Sequence, residues 1–179
     1  MLKADGGKVR EVRYFQNNPK MEELLVPLIE STVDKSKIVI FHDFVIEGRM
    51  IESVLKKMKI QYASLRGEIK DKYEQYTRYR TKDEVRVLVA HPKSGGSSID
   101  LVVGNYCVFY SLTRSVIEVK QAEKRVHRHG QKSDRVFFYY LIGKNTVEEA
   151  ILKDLQTQKD RFAKIVDNRE LIKLLRGGR

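Results

Sequence analysis

Gln121, Arg125 and Arg128 stand at offsets of 0, +4 and +7 inside the stretch QAEKRVHRHGQ (121–131). If 116–128 is helical, the three fall on one face. Two guanidinium groups beside an amide suit a phosphate-rich partner such as a nucleotide, because each planar fork can meet phosphate oxygens with paired donors. Upstream lies KSGGSS (93–98), a turn of small residues straight after the apolar run VRVLVA (85–90). Backbone N–H groups at Ser94, Gly95 and Gly96 can approach a ligand closely there. Taken singly, a basic helical face is also what a solvated surface looks like, and Gly95-Gly96 is also what a plain turn looks like. The succession of strand, small-residue turn and basic helix is the more specific signal.

Those residues need elements to hold them. Five apolar runs of strand length recur along the chain: KIVIFHDF (37–44), IQYASL (60–65), VRVLVA (85–90), YCVFY (106–110) and VFFYYLI (136–142). Continuous β-branched runs such as VRVLVA mark strands buried on both faces. Helical stripes alternate with them. Asn18-Pro19 is a helix start, followed by Met21, Leu24, Leu25 and Leu28 on one stripe, with Pro27 expected to kink or end the helix. Further helices are predicted over 45–59, 69–80 and 116–128. In the second of these, Tyr73, Tyr76 and Tyr79 lie three apart, placed to pack on a sheet or, with Arg78 and Arg80, to stack on bases. Thr146 and Glu149 form a capping-box pattern opening a last helix that runs to about 174. This alternation predicts an α/β fold with a parallel sheet flanked by helices. The turns at 42–44, 66–68, 91–98 and 111–115 all follow strands, so they gather on the carboxyl edge, where such folds bind ligands. The expected organisation is an irregular lead-in (1–16), one lobe (17–145) and a long C-terminal helix (146–179) packing on or bracing it.

Composition narrows the function classes. Thirty-five Lys and Arg against 24 Asp and Glu leave a net charge of +11 in 179 residues. That balance favours a polyanionic partner, nucleic acid above all. No run of 18 apolar residues predicts a membrane span, and the N-terminus lacks the apolar core of a secretory signal. A single cysteine, Cys107 within NYCVFY, forms no internal disulfide and reads as a small buried hydrophobe. An intracellular location, cytoplasmic or nuclear, is the expectation. His127-x-His129 lacks a supporting ligand cluster, so no metal site is predicted.

The central stretch resembles motifs V and VI of superfamily 2 helicase-like ATPases, and its ending resembles the Swi/Snf-type branch most. SGGSSIDL (94–101) is similar to that branch's A-G-G-x-G-[LI]-[ND]-L, and QAEKRVHRHGQ to its Q-A-x-x-R-x-H-R-x-G-Q. KIVIFHDF resembles motif IV, and ASLRGEIK (63–70) the segment after the second strand. VFFYYLIGKNTVEEAI (136–151) resembles the strand, turn and helix that follow motif VI. The likeness covers about 20–160. It departs at Ser98, where a glycine is usual, at SLTRS (111–115), which lacks an aromatic, and at Arg66, where Asp is common. These departures fit a compact, divergent member.

The resemblance implies the second of two RecA-like lobes that clamp ATP and magnesium. The first lobe, in the same or another chain, would carry the P-loop and the acidic magnesium motif. Arg125 and Arg128 match the catalytic arginines. Gln121, Asp100 and Gly96 match the nucleotide side, while Gly67, Lys93, Ser94, Gly95 and Arg114 match the nucleic-acid track. The implied partner is DNA, expected to be double-stranded, with RNA the other polymer of the same chemistry. No G-x-x-x-x-G-K-[ST] occurs in the sequence. GKNT (143–146) lacks its first glycine, and DEVR (83–86) precedes a strand where the acidic motif should end one. The chain alone is therefore expected to be inactive as an ATPase, the second half of a motor. A non-catalytic nucleic-acid-binding or scaffold module of the same fold is the alternative. A Rossmann-type small-ligand binder ranks below both for want of G-x-G-x-x-G.

Overall fold

The computed structural model describes residues 18–94, 99–131 and 133–158. Its core is a five-stranded sheet of order β2-β3-β1-β4-β5, with every pairing parallel. The strands are β1 (Lys37–Phe41), β2 (Gln61–Leu65), β3 (Val85–Ala90), β4 (Gly104–Phe109) and β5 (Phe137–Tyr140). Helices α1 (Val26–Thr32), α2 (Val45–Lys57), α3 (Lys72–Thr81) and α4 (Val116–Val126) flank it, and 147–158 is helical as α5. This is the RecA-like α/β architecture that the sequence predicts. The central strands carry the apolar runs: KIVIF is buried throughout, and VRVLVA is buried except at Arg86. The edge strands β2 and β5 are more exposed. Burial on two faces is what a central parallel strand requires, and it explains why the runs do not alternate.

Two cores result, one on each face of the sheet. On one face Met21, Leu25 and Ile29 of the first helical stretch and Ile51 and Leu55 of α2 cover Ile38, Ile40, Val87 and Val89. On the other, Tyr76 and Tyr79 of α3, Val119 and Ala122 of α4 and Leu155 of α5 cover Val39, Leu88 and Cys107. Two of the three spaced tyrosines are thus core residues, and only Tyr73 is exposed, at 81%. Cys107 is fully buried, and burial pushes its thiol well above the ordinary range.

Local differences from the sequence reading have physical causes. Pro27 does not break its helix. Lys20–Leu25 are π-helical, Val26 N–H bonds to Met21 O, and α1 then begins with Pro27 in its first turn, where the missing N–H does no harm. Asn18 caps the start, its Oδ1 accepting from Met21 N–H at 3.2 Å. At α5 the Thr146 hydroxyl accepts from Glu148 N–H at 3.2 Å, but the carboxylate that reaches back is Glu148, accepting from Gly143 N–H at 2.7 Å, not Glu149. The lead-in and the stretch after 158 lie outside the described residues.

Candidate functional site

Because all strands run parallel, the loops after β1, β2, β3 and β4 share one edge. Helices α2, α3 and α4 follow β1, β2 and β4, so their N-terminal ends gather there too, which makes the edge attractive to anions. The large exposed apolar side chains Phe44 and Val45, Tyr73, Ile117 and Val147 lie at or beside helix starts on this same edge.

A chain of polar contacts joins these loops. His91 Nδ1 accepts from Lys93 N–H at 3.1 Å, which leaves its Nε2 to carry the proton, 3.6 Å from Asp43 Oδ1. Asp43 N–H donates to Ser111 Oγ at 2.8 Å, and the Ser111 hydroxyl donates to Glu47 at 2.5 Å. Glu47 also accepts from Phe44 N–H at 3.1 Å. Burial raises the Glu47 pKa against these hydrogen bonds, which lower it. None of Asp43, Glu47, His91 and Ser111 stands out in the sequence by spacing. The available signal is that three of them immediately follow or adjoin β1, β3 and β4.

Helix α4 is seated by Val116, Val119, Ala122 and Val126 and capped by Ser115, whose Oγ accepts from Glu118 N–H at 3.4 Å. It ends at Val126, because His127 leaves helical geometry at φ −98° and ψ 84°. Leu101 N–H takes the Arg125 carbonyl at 2.8 Å, which draws the end of the helix into contact with the segment before β4. The expected single face of Gln121, Arg125 and Arg128 is therefore corrected. Gln121 is exposed, Arg125 is buried at 9%, and Arg128 lies past the helix. Arg125 Nη1 donates to Pro92 O at 2.8 Å. Burial lowers its pKa, yet a guanidinium stays protonated. Arg128 Nη1 pairs with Asp100 Oδ1, and both side chains are about half exposed. The structure thus brings Arg125, Arg128, Asp100 and the turn after β3 together, and among the described residues Gln121 has no contact with that cluster.

The other candidates spread along the same edge. Lys93 is exposed and pairs with Glu118 at 3.1 Å. Ser94 N–H closes a turn onto His91 O at 2.8 Å. Arg114 and Gly67 are exposed after β4 and β2. Gly95 and Gly96 lie outside the described residues. One residue of the motif was missed: Gln131, whose Nε2 donates to Gly104 O at 3.0 Å and to Val126 O at 3.1 Å, fixing the motif's tail to the start of β4. Gly130, at φ +98°, makes the turn that allows it. Among the described residues no group of three His, Cys, Asp or Glu stands ready to hold a metal ion, and no helix is long and apolar enough to cross a membrane.

Residues 19–130 match the family described as helicase conserved C-terminal domain. Similar proteins include ATP-dependent helicase fft2 of Schizosaccharomyces pombe, 30% identical over 156 residues, covering 86% of this chain and 11% of that protein. An uncharacterized ATP-dependent helicase of Bacillus subtilis, YqhH, is 30% identical over 151 residues, covering 84% and 26% respectively. A SWI/SNF-related regulator of chromatin containing DEAD/H box 1, from Drosophila melanogaster, is 27% identical over 163 residues, covering 86% and 19%. The chain therefore spans about a quarter or less of these relatives' lengths. The solved C-terminal part of the Fun30 ATPase domain superposes with a TM-score of 0.70 at 23% identity, covering 79% of this chain and 47% of that one, a likeness of fold.

Proposed function

Because the chain belongs to the helicase conserved C-terminal domain family, we propose that it works as the second motor lobe of a DNA-stimulated ATPase, closing on a first lobe to complete the ATP site. The observation that carries this reading is the junction of Arg125, Arg128 and Asp100 with the turn after β3. The residues fit the phosphate end of a nucleotide rather than its magnesium. Arg128 is half exposed, and among the described residues its side chain is held by Asp100, so a phosphate oxygen can replace that carboxylate without unfolding anything. ATP, when bound between the lobes, supplies the phosphoanhydride to be cleaved. Arg128 then neutralises charge developing on the transferred group, and Arg125 holds the turn after β3 against α4 so that closure carries both as one body. Lys93, Ser94, Arg114 and Gly67 supply the nucleic-acid track along the same edge. The exposed Phe44, Tyr73 and Ile117 there support a face that a partner covers.

The rival, a non-catalytic DNA-binding module, draws on one fact: Arg125 is already buried on Pro92 O, a structural use of an arginine. The discriminating experiment measures ATP turnover with and without duplex DNA for this chain alone and for a chain that also carries a first lobe. The proposal expects none from the first and DNA-dependent turnover from the second, with salt-sensitive DNA binding by both. Turnover by this chain alone, or none from the two-lobe protein, overturns it.

A further inference from the structure

A histidine builds the turn after β3. Ser94 N–H closes that turn onto His91 O at 2.8 Å, with Pro92 at its second position, where a fixed φ suits a turn. Inside it the His91 ring does what an Asn or Asp side chain usually does: Nδ1 accepts from the N–H two residues on, Lys93, at 3.1 Å. Nδ1 can accept only while the ring proton sits on Nε2. Asp43, just past β1, sets its Oδ1 3.6 Å from Nε2, and a carboxylate there favours the proton on that nitrogen. The ring stands edge-on to the buried His42, with centroids 6.2 Å apart and planes at 82°. Asp43 is itself located by its N–H, which donates to Ser111 Oγ at 2.8 Å. At the tip of the turn Lys93 is exposed and rests on Glu118 at 3.1 Å. Glu118 also accepts from the Thr113 hydroxyl at 3.3 Å, so it keeps a partner when a phosphate draws Lys93 away.

We propose that Asp43 and His91 are positioning residues for the nucleic acid: Asp43 fixes the ring tautomer, the ring fixes the turn, and the turn aims Lys93 at a DNA phosphate. This rests on the reading above of Lys93 as part of the nucleic-acid track. Neither Asp43 nor His91 needs to touch the DNA. Without Asp43 the ring is free to carry its proton on Nδ1. That N–H would then face the Lys93 N–H, donor against donor, and the turn would lose its inner hydrogen bond. The expected sign is unusual. Deleting a carboxylate from an edge that binds a polyanion ordinarily tightens binding. Deleting Asp43 should weaken it instead. If Asp43 and His91 form only a surface pair, their contact contributes little and Asp43→Ala binds DNA more tightly.

The test uses the whole 179-residue chain and a fluorescein-labelled DNA duplex of about 20 base pairs, followed by anisotropy over a range of salt. Lys93→Ala should weaken binding by at least about threefold and lower the slope of log affinity against log salt by about 1. Asp43→Ala and His91→Ala should each weaken binding to a similar extent. Asp43→Ala combined with Lys93→Ala should bind no more weakly than Lys93→Ala alone, because both act through one contact. Two conservative variants should restore binding. Asp43→Asn keeps an oxygen that accepts from Nε2–H, and His91→Asn keeps an acceptor for Lys93 N–H. Nitrogen–proton correlation spectra of the ring should place the proton on Nε2 in the parent and on Nδ1 in Asp43→Ala. Lys93→Ala without effect overturns the track reading and this proposal with it. Where Lys93→Ala does weaken binding, unchanged or tighter binding by Asp43→Ala, or additive losses in the double variant, overturn this proposal alone. So does a parent ring with its proton on Nδ1, a result that needs no variant to fold.

Discussion

Arg125 Nη1 donates to the carbonyl of Pro92 at 2.8 Å, which ties the end of α4 to the turn after β3. Two motifs separated by more than thirty residues of chain are thereby one mechanical unit. Arg125→Ala leaves that carbonyl without its donor in a buried place, which should lower stability by about 1–3 kcal/mol. In a two-lobe chain the same variant should lose turnover together with melting temperature. Differential scanning fluorimetry and an ATPase assay on one preparation check both, and an unchanged melting temperature sinks the clamp.

Much of this was legible beforehand. VRVLVA and KIVIF read as strands buried on both faces, and once the sheet is parallel its loops must share an edge. The face of α4 was harder. Gln121 and Arg125 sit one turn apart, yet Gln121 is exposed and Arg125 buried. Pro92 O, brought in from another element, decides which of the two is covered, and no helical period contains that information. The end of α4 is similar: nothing in VHRHG forbids another turn before Gly130, but Leu101 N–H takes the Arg125 carbonyl. Pro27 was legible as a problem, and the π-helical turn that solves it was not.

Gly67 and Gly104 should respond oppositely to alanine. An added Cβ at Gly104 would lie 2.5 Å from Tyr79 Oη and 2.7 Å from Lys37 O, and a strand carbonyl cannot yield, so a loss of about 1–3 kcal/mol is expected. At Gly67 nothing lies within 4 Å. Gly67→Ala should therefore melt like the parent, and any drop in DNA affinity reports on the track itself. Equal melting of both variants contradicts this account.

His42 should make the fold acid-sensitive. It is fully buried, its Nδ1 donates to Phe44 O at 2.9 Å, and burial pushes its pKa down to about 4. A depressed histidine contributes stability that is present above its unfolded value of 6.5 and is lost as pH falls toward the folded one, up to about 3 kcal/mol in this case. Glu47, raised by burial, works in the other sense: its contribution is full below its ordinary value and fades as pH rises through the folded one. Melts recorded from neutral pH down to about pH 4 should fall across that window, and His42→Asn, which keeps a donor for Phe44, should flatten the slope. A parent curve with no slope there removes His42 from the account.

Arg128 and Asp100 allow the sharpest separation of motor from module. Their pair is about half exposed on both sides, so its contribution to stability is small, under about 1 kcal/mol. Arg128→Ala should accordingly fold and melt like the parent. In a two-lobe chain it should lower ATP turnover by about 10³-fold or more, because an arginine finger acts on charge that exists only in the transition state. Nucleotide affinity should fall far less, for the same reason. Arg128→Lys should rescue poorly, since a point charge cannot reproduce the planar fork. Asp100→Asn frees Arg128 from its resting partner and should keep the fold, which shows whether the carboxylate only parks the arginine or orients it as well. DNA binding by the single lobe should barely change in Arg128→Ala, because the proposed track runs through Lys93, Ser94, Arg114 and Gly67 instead. Full turnover by Arg128→Ala with DNA bound would assign this arginine to the surface, and the binding-module reading would take over.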